Sequence, residues 1–490
     1  MNLLDELLPD DLDRPLLRLA PIGSVDGDTL RYREVDARAR RFVAAMAQLG
    51  VGPGDRVLLQ VPKSADALCV TFACLSSRIV FVPLNTAYTP AEVEYFATDS
   101  GASLVVCAPG DEATLADTIG PSARVVTIDD LSDQADDVDP FEGPHAPGEA
   151  LDAAAMLYTS GTTGRSKGAV LTHASLLANA EALRDVWRVE PDDVICHTLP
   201  VFHVHGLFVA IFPLMLEGAQ IRLRERFDVD DVLAQLPHSS VLMGVPTHYT
   251  RLLADDRFER TACAGLRLFT SGSAPMTEQT HHEFTERTGR RIVERYGMTE
   301  TGILTSNTLD DGGQVPGTVG HPLPGHDVRV VDGAVEVSLP VPFAGYWNQP
   351  DKTAETLTPD GWFRTGDVGS LDGDGRLTLD GRASDMIISG GYNVYPKEIE
   401  LVLDAVDGVA ESAVIGVPHP DFGEGVVAIV VLDGTADSDV VRTRLESACG
   451  ASLARFKHPK HYDFVDALPR NAMAKVQKND LRERYRSALA

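Results

Sequence analysis

The sequence predicts an α/β protein of two domains, a large layered α/β N-terminal domain followed by a small α+β C-terminal domain. Three observations lead there. At 490 residues the chain exceeds what one simple core usually organises, which favours two unequal domains. Over residues 32–108 helix-like segments alternate with short apolar strands such as 56–61 and 103–107, the rhythm of a layered α/β domain. At Val328 the texture changes to VRVVDGAVEV, with Asp332 and Gly333 between β-branched runs as a two-residue hairpin turn.

The elements follow in order. The N-terminus, MNLLDELLPDDLDR, is acidic where a secretory signal needs a basic start, and a cytoplasmic location is expected. Residues 133–148, rich in Asp, Pro and Gly, read as a surface connection. The apolar run 208–216 contains Pro213 and stops at Glu217, far short of the roughly 20 residues that cross a bilayer, so no membrane span is expected. Strands such as 240–243 and 266–270 carry the α/β rhythm to about residue 325. In the tail, EIELVLDAV, ESAVIGV, VVAIVVL and DVVRTRLESAC read as helix, strand, strand, helix.

Composition excludes several classes. The formal charge of -29, from 43 basic and 72 acidic side chains, opposes attraction to nucleic acid or anionic membrane and leaves anionic substrates dependent on local cations. Cys69, Cys74, Cys107, Cys196, Cys263 and Cys449 form no CxxC pair and no metal-ligand spacing; reduced, mostly buried thiols are expected. His203 and His205 stand two apart, but no Cys, Glu or third His nearby completes a zinc site.

The segment YTSGTTGRSKGA, residues 158–169, carries the first chemical signal. Amides exposed at Gly161 and Gly164, hydroxyls of Thr159, Ser160, Thr162 and Thr163, and the cation of Lys167 suit a polyphosphate. Gly168 follows Lys167, so this is not a Walker A loop, and a kinase or ordinary P-loop NTPase is disfavoured. A flexible linker would need neither Lys167 nor the apolar residues on both sides.

Further motifs follow in order: LPVFHVHGL from Leu199, SGSAP from Ser271, YGMTET from Tyr296, WFRTGD from Trp362, GRASD from Gly381, SGGYNVYPKEIE from Ser389 and PRNAMAKVQK from Pro469. With the phosphate loop, they resemble the adenylate-forming superfamily of acyl-CoA synthetases, luciferases and nonribosomal adenylation domains over nearly the whole chain. The resemblance implies the adenylate-forming fold and a two-step ligase using ATP, Mg2+ and coenzyme A as co-substrate. A carboxylate attacks the α-phosphate, pyrophosphate leaves, and a thiol then takes the acyl group. It further implies a large ATP- and carboxylate-binding domain over 1–383 and a small mobile domain over 384–490 that carries the catalytic lysine.

Roles follow by the same resemblance. Tyr296 offers a face to adenine, Thr299 a hydroxyl to the α-phosphate and Glu300 an oxygen to Mg2+. Glu294, Gly297 and Met298 flank these in the ATP site, and Ser271, Gly272, Ser273, Ala274 and Pro275 resemble the adenine-pocket wall. Asp367 is expected to hold the ribose hydroxyls with help from Arg382. Lys475 resembles the lysine that bridges the substrate carboxylate and α-phosphate, where charge develops. Ser389, Gly390, Gly391 and Tyr392 resemble the loop that later opens a passage for the CoA thiol. His205 is expected to line the acyl pocket. Three positions depart from the family pattern: Ala474 in place of Gly before the lysine, Ser384 at a hinge usually Asp or Lys, and Leu339-Pro340 in place of Gly-Pro.

Arg295 bears on the choice of acid. Many relatives place a small residue before the adenine-stacking tyrosine, whereas a guanidinium there suits a second carboxylate on the substrate. Arg165 is a second candidate for that contact, and an ion pair with Glu294 is the structural alternative for Arg295. ERYGMTET, NTAYT from Asn85, TSGTTGRSKGA and GVPTHYTRLL from Gly244 together resemble malonyl-CoA synthetases. The expected partners are therefore a small carboxylic acid, ATP and CoA. A ligase for methylmalonate or another short acid, a carrier-protein loading enzyme, and a weakened binding protein stand as alternatives.

Overall fold

The computed structural model describes residues 1–159, 166–274, 276–310, 312–389, 392–471 and 475–489, apart from the side chain of Asn393. The chain is a mixed α/β protein with a large N-terminal and a small C-terminal domain. It divides into two compact units: Met1–Met276, Thr280–Asp327 and Val337–Phe363 form the first, and Thr277–Gln279, Val328–Glu336 and Arg364–Ala490 the second.

Two sheets organise the first unit. A six-stranded sheet runs Arg124–Thr127, Leu104–Cys107, Arg56–Gln60, Val80–Pro83, Ala153–Thr159, Lys167–Thr172, parallel except for its last pair. Runs such as LVVC and VFVP are buried throughout, as expected of parallel strands covered on both faces. Local signals set the covering helices. Ser64 caps Ala65–Ser77, and Thr89 with Glu92 forms a capping box at the start of Pro90–Ser100.

A nine-stranded sheet holds a parallel centre that includes Gln220–Leu223, Val194–His197, Val241–Gly244, Leu268–Ser271 and Ile292–Met298, with antiparallel strands at its edges. Trp187, Phe212, Phe258, Phe269 and Phe284 are among the fully buried side chains around it.

The second unit carries most of a four-stranded sheet ordered Asp327–Val331, Ala334–Ser338, Phe363–Leu371, Leu377–Arg382. Asp332 (φ 50°) and Gly333 (φ 83°) turn its first hairpin, as the sequence predicts. A second sheet pairs Val409–His419 with Gly423–Leu432 and packs under Pro396–Asp404 and Ser438–Ser452, the anticipated helix, strand, strand and helix. Strand His461–Val465, parallel to Gly423–Leu432, and helix Lys478–Arg484 go beyond that reading.

One expectation needs correction. The acidic stretch expected to be a connection from residue 133 begins as the last turn of helix Ile128–Asp136, which buries Ile128, Leu131 and Ala135. Nor is the rest wholly superficial, because His145 is buried between Asp5 (2.6 Å) and Asp36 (3.1 Å), whose carboxylates raise its pKa against the effect of burial. All six cysteines are free and buried. Among the described residues no helix is long and apolar enough to cross a membrane.

Candidate active site

Neighbouring parallel strands Val194–His197, Val241–Gly244, Leu268–Ser271 and Ile292–Met298 end at one edge of the nine-stranded sheet. Crevices beyond the carboxyl ends of such strands are where α/β sheets bind ligands. Arg295 stands there, 4% exposed, and its Nε and Nη2 have no hydrogen-bond partner among the described residues. Burial pushes its guanidinium down to about 9, so it is still a cation at neutral pH. Room for it comes from Gly272, where a Cβ would lie 2.5 Å from the Arg295 Cζ.

The titratable side chains that interact with Arg295, Tyr249 and His205, are both neutral. His205 Nε2, His248 Nδ1, Thr270 Oγ1 and Ser271 Oγ are also buried without partners among the described residues. Burial, and then the charge of Arg295, hold His205 well below the usual imidazole range, while burial takes His248 down to about 3. His205 Nδ1 lies 3.4 Å from Ser273 Oγ, and Tyr249 Oη donates to the Thr270 carbonyl at 2.6 Å. Glu294, the expected structural partner for Arg295, is engaged elsewhere. Its carboxylate receives His281 Nε2 at 2.8 Å and the Met276 amide at 3.3 Å, which anchors the segment after Gly272. Ser273 in that segment adopts φ 68°, a left-handed conformation costing on the order of 1 kcal/mol for a residue with a Cβ.

Thr159 and Lys167, at the two ends of the expected phosphate loop, pair across the antiparallel strands Ala153–Thr159 and Lys167–Thr172. Ser160, Gly161, Thr162, Thr163, Gly164 and Arg165 lie outside the described residues. Segment 345–347 joins the same hairpin: Val170 N donates to Gly345 O (3.0 Å) and Trp347 N to Gly168 O (2.7 Å). This brings the Tyr346 ring to 5.0 Å from Lys167 Nζ, while its hydroxyl donates to Glu300 Oε1 at 2.8 Å. Tyr346 therefore joins the phosphate-loop lysine to the buried acid of the YGMTET motif. Tyr296, Gly297 and Met298 finish strand Ile292–Met298, and Thr299 and Glu300 follow directly.

In the second unit, Asp367 and Arg382 face each other across antiparallel strands, with Arg382 Nε 2.8 Å from Asp367 Oδ1. Asp367 is buried, and the ion pair fixes its carboxylate. Ser389 ends strand Ile387–Ser389, and Tyr392 opens the return strand with its exposed ring stacked on Phe456 at 4.6 Å. Gly390 and Gly391 between them, Ala474 before the lysine, and Pro275 of the adenine-wall segment lie outside the described residues. Lys475 is exposed, and its backbone is tied to Asn471 by Asn471 N to Lys475 O (2.9 Å) and Lys475 N to Asn471 Oδ1 (3.0 Å).

Comparison with known proteins decides what this constellation belongs to. Residues 13–345 match the AMP-binding enzyme family, and residues 398–475 match the AMP-binding enzyme C-terminal domain. The chain belongs to the AMP-binding enzyme family. A feruloyl-CoA synthase from Amycolatopsis sp is 35% identical, over 94% of this chain and 94% of its own. A malonate–CoA ligase from Arabidopsis thaliana is 34% identical, over 88% of this chain and 78% of its own. The crystal structure of ATP-bound MatB from Rhodopseudomonas palustris superposes with a TM-score of 0.94 at 43% identity, over 100% of both chains.

Membership in the AMP-binding enzyme family, with an ATP-bound structural relative, supports ATP as a substrate. Among the described residues no three His, Cys, Asp or Glu side chains group as a metal cage. Mg2+ is commonly held by one or two carboxylates together with substrate phosphates. The buried carboxylate of Glu300, oriented by Tyr346, suits such a contact. Sequence reasoning passed over Tyr346 and His248. The adjoining FAGYWN and GVPTHY segments are aromatic-rich, but the contacts that give them meaning are long-range.

Proposed function

We propose that this AMP-forming acyl-CoA synthetase acts on malonate: malonate and MgATP give malonyl-AMP and pyrophosphate, and CoA then gives malonyl-CoA and AMP. The observation that carries the reading is Arg295, a buried guanidinium whose Nε and Nη2 have no hydrogen-bond partner among the described residues. Leaving that charge alone costs several kcal/mol, and a carboxylate that accepts from both nitrogens offsets the cost. A monocarboxylate held for attack on the α-phosphate has no second anion to give. The relatives' acids range from feruloyl to malonate, so membership alone does not select the acid.

The remaining residues take their roles around that contact. Malonate's distal carboxylate sits on Arg295, with the unpaired His205 Nε2 and Ser271 Oγ as neutral donors, and Arg165 is a second candidate cation. The proximal carboxylate attacks the α-phosphorus, and the P–O bond to pyrophosphate breaks. Thr299 and Lys475 stabilise the charge that develops there. Thr159 to Gly164 and Lys167 hold the leaving phosphates, Tyr296 with Gly297, Met298, Glu294 and the 271–275 segment holds adenine, and Asp367 with Arg382 holds ribose. Mg2+, when bound, neutralises phosphate charge beside Glu300. Residues 384–490 then turn about Ser384 so that the Ser389–Tyr392 loop admits the CoA thiol.

Three measurements probe these roles. Pyrophosphate release by the wild type over a panel of mono- and dicarboxylic acids, with and without CoA, is expected to rank malonate or methylmalonate first; preference for butyrate or an aryl acid overturns the reading. Gly272→Ala is expected to push the guanidinium aside. Overpacking of this kind costs about 1–3 kcal/mol, so steady-state kinetics should show kcat/KM for malonate about tenfold lower or worse, and a smaller change for butyrate. Tyr346→Phe removes a hydrogen bond to a charged group, which typically contributes about 1.5–3 kcal/mol, and is expected to raise the KM for MgATP by about tenfold.

A further inference from the structure

A chain of side chains reaches the acyl pocket from behind. Lys63 follows strand Arg56–Gln60 of the six-stranded sheet, and its Nζ donates to Leu199 O at 2.8 Å and His197 O at 3.1 Å. It also lies 3.3 Å from His197 Nδ1; burial takes the Lys63 amine down to about 7, and in its ammonium form its three protons meet three acceptors. His197 ends strand Val194–His197 of the other sheet and is fully buried, and burial takes it down to about 3, keeping it neutral. With Nδ1 accepting from Lys63, the network assigns the ring proton to Nε2, which donates to Gly206 O at 2.6 Å.

Gly206 sits in the wide helical turn His205–Val209, one residue after His205. A Cβ on Gly206 would lie 2.0 Å from Pro200 O, so the two ends of the 200–206 loop are pressed together. Lys63 thus holds the near end of this loop through two carbonyls and the far end through the His197 ring. Behind the loop lies a cavity of about 180 Å³ bordered by Lys63, Phe81, Pro200, Val201, Phe202 and Glu225. Leu199 and Val204 pack into the core at the two ends of the loop, and the clamp adds polar contacts to that packing.

We propose that Lys63 is a positioning residue of the acyl site, acting through His197 and Gly206 to hold the His205 ring in place. This rests on the reading of His205 as part of the acyl pocket. Lys63 touches no reacting atom; it sets where His205 Nε2 points.

The test is a double-mutant cycle on malonate adenylation by the full-length enzyme, followed by pyrophosphate exchange, with Lys63→Met, His205→Ala and both together, each checked by thermal melting. Each single change is expected to lower kcat/KM by about tenfold or more, and the double variant to match His205→Ala within about twofold, since residues acting in series do not add. Melting temperatures are expected to stay near wild type. Losses that multiply, or Lys63→Met at wild-type activity, overturn the proposal. A Lys63→Met loss alongside a silent His205→Ala also overturns it, and removes His205 from the acyl pocket. Should Lys63→Met fail to fold, Lys63→Gln, which retains two donors, enters the same cycle. If the wild type prefers another acid, only the malonate reading falls, and the cycle is run with that acid.

Discussion

Replacing Lys475 with Ala is expected to suppress acyl-adenylate formation by several powers of ten while largely sparing thioester formation from supplied malonyl-AMP. In the first half-reaction negative charge moves onto the α-phosphate and the pyrophosphate leaving group, and a fixed cation at that point commonly contributes about 3–4 kcal/mol or more to the barrier. Lys475 is suited to deliver such a charge because it is exposed in the second unit, with its backbone held by hydrogen bonds to Asn471. In the second half-reaction the thiolate attacks an anhydride already formed, and the phosphate it expels is AMP. Single-turnover measurements of the two steps check the division; equal loss in both would show that Lys475 acts on the structure or on nucleotide binding.

Arg295→Ala is expected to lower kcat/KM for malonate by about two powers of ten, roughly 3 kcal/mol, with little change in the KM for ATP. The wild-type guanidinium is desolvated in the free protein, so malonate finds a preorganised cation whose desolvation cost is already met. In the variant the distal carboxylate enters a pocket of neutral imidazoles and hydroxyls and stays underpaired. Arg295→Lys is expected to restore little, since an ammonium lacks the planar fork that pairs both carboxylate oxygens. Steady-state kinetics with varied malonate at saturating ATP and CoA check this. Recovery of near wild-type activity by the lysine would mean that charge alone suffices.

Parts of this site were legible in the sequence where local chemistry and local geometry agree. The Asp332-Gly333 hairpin and the strands through Leu58 and Val105 follow from turn residues and apolar runs that neighbours alone determine. Arg295 could be suspected because it adjoins Tyr296. Its lack of a partner could not, because that depends on Glu294 being taken by His281 and on Gly272 leaving space, both long-range facts. Tyr346 and Lys63 were silent for the same reason: each matters through a contact that spans dozens of residues or more, Tyr346 to Glu300 and Lys63 to His197. The last turn of the helix ending at Asp136 reads as the start of the 133–148 connection because its exposed residues are acidic and only Ala135 within it is buried. Strand His461–Val465 is short, and only its parallel pairing with Val427–Val431 makes it a strand.

The central claim is that a buried guanidinium, whose Nε and Nη2 have no partner among the described residues, selects an acid with two carboxylates. Its most direct test is the ratio of kcat/KM for malonate to that for butyrate, measured by pyrophosphate release on the wild type and on Arg295→Ala. The ratio is expected to fall by about two powers of ten in the variant, with malonate losing most of its rate and butyrate little or none. An unchanged ratio, with both acids falling by the same factor, would contradict the claim and leave Arg295 a structural residue.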